Sequence, residues 1–296
     1  MNLEILFSVI VPSYNRAGLI KETIHSLLEQ VYFHFELIIV DDGSTDETEM
    51  VVRPYLKDER IRYFKIKNSE RGAARNFGTK NSNGDYITFL DSDDILLPRH
   101  LQTANQKVEL ANRPPVFHLG YEILHPDGKV DFNPQLPSPV NDKLLEGNFL
   151  SCMGVFLRRD IAMENLFDED RQLAGSEDYE LWMRIAARVP ILTFPEITSR
   201  LINHDDRSVI NVDPQRLVIR ISMLEKRLEG NTAFTERFGK TAAIFSSYCS
   251  LYLALHLALC GERWLAFKNL MRTANQYPLA MTNYRFIVAL KKIVLW

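Results

Sequence analysis

The sequence predicts an α/β protein: a mainly parallel sheet flanked by helices, followed by a helical C-terminal extension. Three observations carry this expectation. Short β-rich apolar runs alternate with helix-patterned stretches over the N-terminal third of the chain. Three of those runs end directly in polar clusters: Ser13-Tyr14-Asn15, Asp41-Asp42-Gly43-Ser44 and Asp91-Ser92-Asp93-Asp94. From about Pro214 onward the apolar spacing is helical. The predicted domains are therefore residues 1–210 and an extension over 211–296.

FSVIVPSYN, from Phe7, is a β-rich run broken by Pro12 and reads as the first strand. AGLIKETIHSLLEQ follows, with Ile20, Ile24, Leu27 and Leu28 at helical spacing. ELIIVDDGS gives a second strand from Glu36 to about Val40, and STDETEMVVRPYL a helix capped by Ser44 or Thr45. IRYFKIK, RGAARNFGTKNS and YITFLDSDD read as strand, helix and strand. Strands joined by single helices imply right-handed crossovers and a parallel sheet, whose ligands bind beyond the C-terminal strand ends. The three polar clusters should therefore gather on one rim. Farther on, VFHLGYEIL and KVDF flank HPDG as a hairpin, and SCMGVFLRR is a strand. EDYELWMRIAARV is a helix with Leu181, Ile185 and Val189 inward, and ILTFPEITSRLI is extended.

The chain has 296 residues, 46% of them hydrophobic and 25% charged, which is an ordinary globular composition. Its net charge of -3 hides an asymmetry: residues 1–210 carry 23 Lys/Arg against 33 Asp/Glu, and residues 211–296 carry 12 against 5. An acidic body suits a metal, and a basic tail suits an anionic partner such as a membrane surface. Cys152, Cys249 and Cys260 lack CxxC spacing, so neither a disulfide framework nor a zinc site is expected, and a reducing compartment is the default. MNLEILFSVIVPSYN has no basic n-region or small-residue cleavage site and is read as a strand rather than a signal peptide. Residues 241–261 carry no formal charge over 21 positions, enough to span a bilayer; their serines and His256 favour a buried helix of a helical hairpin instead.

In an extended segment residues i and i+2 face the same side, so Asp91 and Asp93 can address one point. Mg²⁺ and Mn²⁺ take oxygen ligands, commonly one or two carboxylates completed by phosphate and water. The competing reading is an acidic turn in which Asp93 or Asp94 caps a helix starting near Pro98. DDGSTD is likewise both a capping segment and a carboxylate placed to accept from a base N–H or a ribose hydroxyl. In ERGAARN, Arg71 and Arg75 sit among small residues, a pattern for phosphate or for a solvated helix face. Neither G-x-G-x-x-G nor G-x-x-x-x-G-K-[ST] occurs, which leaves metal plus arginine as the means of holding phosphate.

Taken in order, SVIVPSYNR, ELIIVDDGSTDET, RGAARNFG, GDYITFLDSDD and GSEDYELWMR resemble the family 2 glycosyltransferases of GT-A fold, over roughly residues 7–210. The resemblance implies a Rossmann-like GT-A sheet and an inverting enzyme of cell-surface polysaccharide or lipopolysaccharide assembly. It implies a nucleotide-sugar donor, UDP-linked, a glycan or lipid-linked hydroxyl acceptor, Mn²⁺ or Mg²⁺ as cofactor, and no nucleic-acid partner. Residue by residue, Pro12, Tyr14 and Asn15 line the nucleotide pocket and Asp42 takes the base edge or the ribose. Arg75 approaches the diphosphate, Asp91 lies near the ribose and the metal waters, and Asp93 is the direct metal ligand. Glu177-Asp178 matches the family's ED motif, making Asp178 the catalytic base at a helix start that favours its ionised form. His204 matches a lid histidine that touches metal or diphosphate.

The tail carries no motif that converts to chemistry. Its charge, Trp264, Tyr284 and Phe286, and the ending RFIVALKKIVLW fit helices lying on a membrane and fit equally a dimerisation or packing element. The expected location is cytoplasmic, at the inner face of the membrane. Three other functions compete. A glycan hydrolase with paired carboxylates would not need strand-end acids beside arginine. A receiver-like module would need a later Lys that is not found, and a nucleotide-binding relative without activity would be expected to lack one of the acids, all of which are present.

Overall fold

The computed structural model describes residues 4–203 and 213–295, which divide into two compact units. The first comprises Met1–Val140, Phe149–Arg171 and Val189–His204; the second comprises Asn141–Asn148, Gln172–Arg188 and Asp205–Trp296. The second unit thus includes two stretches that precede residue 210.

The first unit is built on a nine-stranded sheet. Its N-terminal part is β1 (Phe7–Ser13), β2 (Phe35–Asp41), β3 (Ile61–Lys65) and β4 (Tyr86–Phe89), with helices α1 (Ile20–Leu28), α2 (Thr48–Val52) and α3 (Glu70–Lys80) in the crossovers. These four strands lie in the order β3-β2-β1-β4 and pair in parallel. β5 (Ile95–Leu96), α4 (His100–Leu110), β6 (Val116–Leu124), β7 (Val130–Phe132), β8 (Val155–Arg158), α5 (Arg159–Glu164) and β9 (Ile191–Ile202) continue the unit. β8 runs antiparallel between β4 and β6, while β9 pairs with β6 in parallel. All seven residues of β1 and of β2 are buried, as strands covered on both faces must be. Phe7, Tyr86, Phe117 and Phe156 meet in the core, with Phe117 and Phe156 stacked 4.8 Å apart.

Local readings of the sequence need three corrections. Pro12 does not break β1, which continues to Ser13 with Pro12 opposite Val40. The β4 ladder ends at Ile10 and Phe89, so the N–H that proline lacks has no partner waiting. Neither Ser44 nor Thr45 caps α2: the Asp46 carboxylate accepts from Thr48 N–H at 3.0 Å, and Pro54 turns the following residues into a 3-10 turn, Arg53–Lys57. Val189 lies beyond the helix Glu177–Ala186. The HPDG hairpin is as expected, β6 pairing with β7 and Gly128 taking φ 82° in the turn.

The second unit consists of α6 (Glu177–Ala186), α7 (Pro214–Glu229), α8 (Thr232–Phe238), α9 (Ala242–Leu259), α10 (Arg263–Gln276) and α11 (Tyr284–Leu295). Asp213 caps α7 and Asn231 caps α8 through side-chain oxygens. Among the described residues one helical stretch, Thr232–Leu259, is long and apolar enough to cross a membrane. Two of its three serines are bonded within the protein: Ser246 Oγ donates to Glu225 Oε1 (2.6 Å), Arg272 donates to the same carboxylate, and Ser247 and Thr273 exchange hydrogen bonds with each other's carbonyls, while Ser250 is buried. α9 is thus the buried partner of a helical hairpin, with Gly261 at φ 83° in the turn to α10.

Two histidines lie wholly inside the first unit. His100 Nδ1 is 2.8 Å from Thr198 Oγ1, and His118 Nε2 accepts from the Ser151 N–H at 3.3 Å. Burial lowers both pKa values from 6.5 to about 3, with His100 adding to the effect at His118. The unfolded chain therefore gains protons first as pH falls below 6.5, so stability should drop from there toward pH 3, by up to about 1.4 kcal/mol per pH unit for each histidine. Urea unfolding across that window should show His118→Gln with a shallower loss than wild type; identical slopes would exclude the assignment.

Candidate functional site

The strand order reverses between β1 and β4, and in a doubly wound sheet this switch point is where a ligand crevice opens. The segments that follow β1, β2 and β4 meet there. Asn15, in the left-handed region at φ 51°, accepts the Thr45 N–H on Oδ1 (2.9 Å) and donates its own N–H to Ser44 Oγ (2.9 Å). Arg16 N–H reaches Thr48 Oγ1 and Ala17 N–H reaches Asp46 Oδ2. These bonds join the β1 and β2 loops into one rim. Pro12 is buried below it, while Tyr14 (46% exposed) and Asn15 face outward.

The paired acids after β2 divide their work. Asp41 is fully buried; its Oδ1 accepts the Ser44 N–H at 2.7 Å and its Oδ2 accepts from the Tyr63 hydroxyl. Asp42 accepts backbone N–H donors from Ser69 (2.7 Å) and Glu70 (2.8 Å) and the Asn68 amide at 3.2 Å. It thereby closes the start of α3, where Ser69 makes no side-chain cap and Glu70 is held at φ 76°. Burial nevertheless raises the Asp42 pKa, outweighing the backbone donors. Gly43, at φ +78°, is required beside this contact, since a Cβ would lie 3.0 Å from the Asn68 nitrogen.

After β4 the acids lie in a turn and not in the extended segment the sequence suggested: the Asp94 N–H donates to the Asp91 carbonyl at 3.0 Å, with Ser92 and Asp94 buried and Asp91 and Asp93 partly exposed. Asp94 Oδ1 accepts the Ile202 N–H of β9 at 2.9 Å, and its carbonyl accepts from Thr23. It caps no helix, because α4 starts later, after Arg99. Asp91 Oδ1 accepts from Arg75 at 2.7 Å; the Arg75 side chain is only 2% exposed, with its guanidinium 5.2 Å from the Phe167 ring centre. The small residues of α3 admit protein rather than ligand: a Cβ on Gly72 would lie 2.9 Å from the Asp168 carbonyl. Asp93 faces Arg16, with Nη2 3.7 Å from Oδ2. The sequence reading missed Arg16; the available signal was a base directly after the polar cluster of β1.

Asp91 and Asp93 thus offer two accessible carboxylates. Among the described residues no group of three His, Cys, Asp or Glu side chains could hold a metal ion. Two oxygen donors alone fit Mg²⁺ or Mn²⁺ carried in with a diphosphate, which would supply the remaining ligands together with water. His204 lies outside the described residues. In the second unit, Asp178 sits in the first turn of α6, its Oδ2 accepting from the Asn148 amide (3.0 Å) and its Oδ1 from the Tyr179 N–H (2.7 Å). Beside it Glu177 is buried and accepts the Gly175 N–H, a structural use of the first acid of the pair.

The family model described as "Glycosyl transferase family 2" matches residues 8–115. The Escherichia coli protein named UDP-Glc:alpha-D-GlcNAc-diphosphoundecaprenol beta-1,3-glucosyltransferase WfgD is 32% identical over 183 residues, 62% of this chain and 70% of that protein. Rickettsia proteins named as uncharacterized glycosyltransferases are 34% identical over 184–197 residues, and the chain spans only 26–32% of their length. Among solved structures, S. aureus TarS residues 1–349 with UDP-GlcNAc superposes with a TM-score of 0.70 at 19% identity, over 97% of this chain and 88% of that one. The mannosyltransferase PcManGT of Pyrobaculum calidifontis, with GDP-Man and Mn²⁺, gives 0.56 at 18% identity, over 98% and 87%. Both share the fold.

Stability should separate the acids by their work. Asp94→Ala removes a buried carboxylate that accepts the partly buried Ile202 N–H and should cost about 1–3 kcal/mol. Asp93→Ala removes a partly exposed ion pair with Arg16 at 3.7 Å and should cost less, about 1 kcal/mol. Denaturant midpoints check this, and equal losses would contradict the division.

Proposed function

Because the chain belongs to glycosyl transferase family 2, we propose that it transfers a sugar from a nucleoside diphosphate, UDP-linked, to an acceptor hydroxyl, with inversion at the anomeric carbon. The observation that carries this reading is the pair of accessible acids, Asp91 and Asp93, at the end of β4 beside the joined rim of the β1 and β2 loops. Its support from relatives is the name of the E. coli protein, which gives a UDP-linked donor and a diphosphoundecaprenol-linked acceptor. The matching role here is cell-surface polysaccharide or lipopolysaccharide synthesis at the inner face of the membrane.

Pro12, Tyr14 and Asn15 flank the base on the rim. Asp42 uses three of about four acceptor positions of its carboxylate on the segment before α3, which leaves one for a base N–H or a ribose hydroxyl. Asp93, with Asp91, would hold Mn²⁺ or Mg²⁺, which when bound neutralises charge on the departing diphosphate. Arg75 is buried and acts on Asp91, orienting its carboxylate, in place of the diphosphate contact implied by the family resemblance. Arg16, partly exposed and facing Asp93, is a cation placed to reach the phosphates. Asp178 accepts the proton of the acceptor hydroxyl as its oxygen attacks the anomeric carbon and the bond from that carbon to the diphosphate breaks. Asn148 and the Tyr179 N–H hold the carboxylate in position for this.

Asp178→Asn should lower transfer by about 10²–10⁴-fold while UDP binding with Mn²⁺ stays as in wild type. Asp93→Ala should lose the Mn²⁺ dependence of UDP binding in calorimetry. Full transfer by Asp178→Asn would remove the base assignment, and failure of any nucleoside diphosphate or its sugar to bind with metal would remove the reading itself.

A further inference from the structure

From Arg263 to the last residue the sequence holds six bases, Arg263, Lys268, Arg272, Arg285, Lys291 and Lys292, and no acid. The same stretch exposes large apolar side chains in a regular pattern. On α10, Trp264, Phe267 and Met271 recur at i, i+3 and i+7 and are 65%, 38% and 45% exposed, while Ala266, Leu270 and Thr273 face inward. α11 repeats the arrangement: Tyr284, Ile287 and Val294 are exposed, and Phe286 and Ala289 are buried against Leu251 and Ala254 of α9. Leu279 and Met281, in the turn between the two helices, are exposed as well. Both helices therefore satisfy one side on α9 and present a second apolar side outward. Lys268 lies 5.1 Å from the Trp264 ring, which stacks on Phe267.

Exposed aromatic and aliphatic side chains interleaved with lysine and arginine match the boundary of an anionic bilayer, where rings settle at headgroup depth and bases reach phosphate. A second copy of the chain fits less well, because Arg272 is answered by Glu225 within the unit, and a two-fold interface would set bases of this stretch such as Lys268 and Lys291 near their counterparts with no acid from the stretch to answer them. We propose that α10 and α11 dock the protein on anionic phospholipid, with Trp264, Phe267, Leu279 and Ile287 at the acyl boundary and Lys268 and Lys291 on lipid phosphates. This rests on the lipid-linked acceptor of the proposed function, and Asp178 belongs to the same unit as the docking helices.

The test is flotation of the full chain with vesicles of phosphatidylcholine alone and of phosphatidylcholine mixed with phosphatidylglycerol. Wild type should float with the mixed vesicles, not with the neutral ones, and should be released by salt. Lys268→Gln/Lys291→Gln and Trp264→Ser/Ile287→Ser should each weaken binding about tenfold or more, at the scale of about 1 kcal/mol per surface charge. Phe33→Ser, at a residue 70% exposed in the first unit, should bind as wild type. UDP-sugar hydrolysis without vesicles should be unchanged in all three variants, so loss of docking and loss of the transferase reading register separately. Equal binding to both vesicle types, variants that float like wild type, or a dimer dissociated by Trp264→Ser in a protein that binds no vesicles would overturn the proposal.

Discussion

A carboxylate buried without donors is costly, and the C-terminal rim of this sheet carries six aspartates within a few residues of two strand ends, those of β2 and β4. The structure resolves the conflict by giving most of them backbone N–H groups. Asp41 holds its own loop, Asp42 closes the start of α3, Asp46 ties the β1 loop to α2, and Asp94 anchors β9. Asp91 and Asp93 each have an arginine beside them, Arg75 at 2.7 Å and Arg16 at 3.7 Å. Arg75 is buried, whereas Arg16 is partly exposed and can turn from a carboxylate to an anion in solution. The amide-bound acids fix the loops from which these two pairs project.

The same rim shows how little residue type says about role. Arginine beside glycine and alanine in α3 has the composition of a phosphate loop, yet Gly72 admits the Asp168 backbone and Arg75 lies under Phe167. Two serines of α9 are similar: in sequence Ser246 and Ser247 weaken a membrane span, and in the fold they face Glu225, Arg272 and Thr273.

The parallel half of the sheet was legible because period and punctuation agreed: apolar runs, single helices, polar clusters at each strand end. That Asp91 and Asp93 are both partly exposed agrees with the sequence, but for another reason: the segment is a turn closed from Asp94 N–H to the Asp91 carbonyl, not an extended strand. What was hidden depended on partners distant in sequence. Asp94 reads as a cap until Ile202 arrives, Arg75 reads as exposed until Phe167 covers it, and Arg16 gains meaning only opposite Asp93. Pro12 misled for a related reason: a strand tolerates proline where its neighbour has already ended.

The bond from Ile202 to Asp94 spans 108 positions, and the contacts of Asn76 with Phe167 span 91. Contacts of such separation form late, because the intervening chain must be ordered before its loop entropy is recovered. During synthesis the four parallel strands can pair as soon as β4 emerges, but the acid loop has no anchor until β9 is made. The rim after β4 is thus among the last features of the first unit to become rigid, and a truncated chain that keeps the parallel strands would hold its acids on an unfinished support.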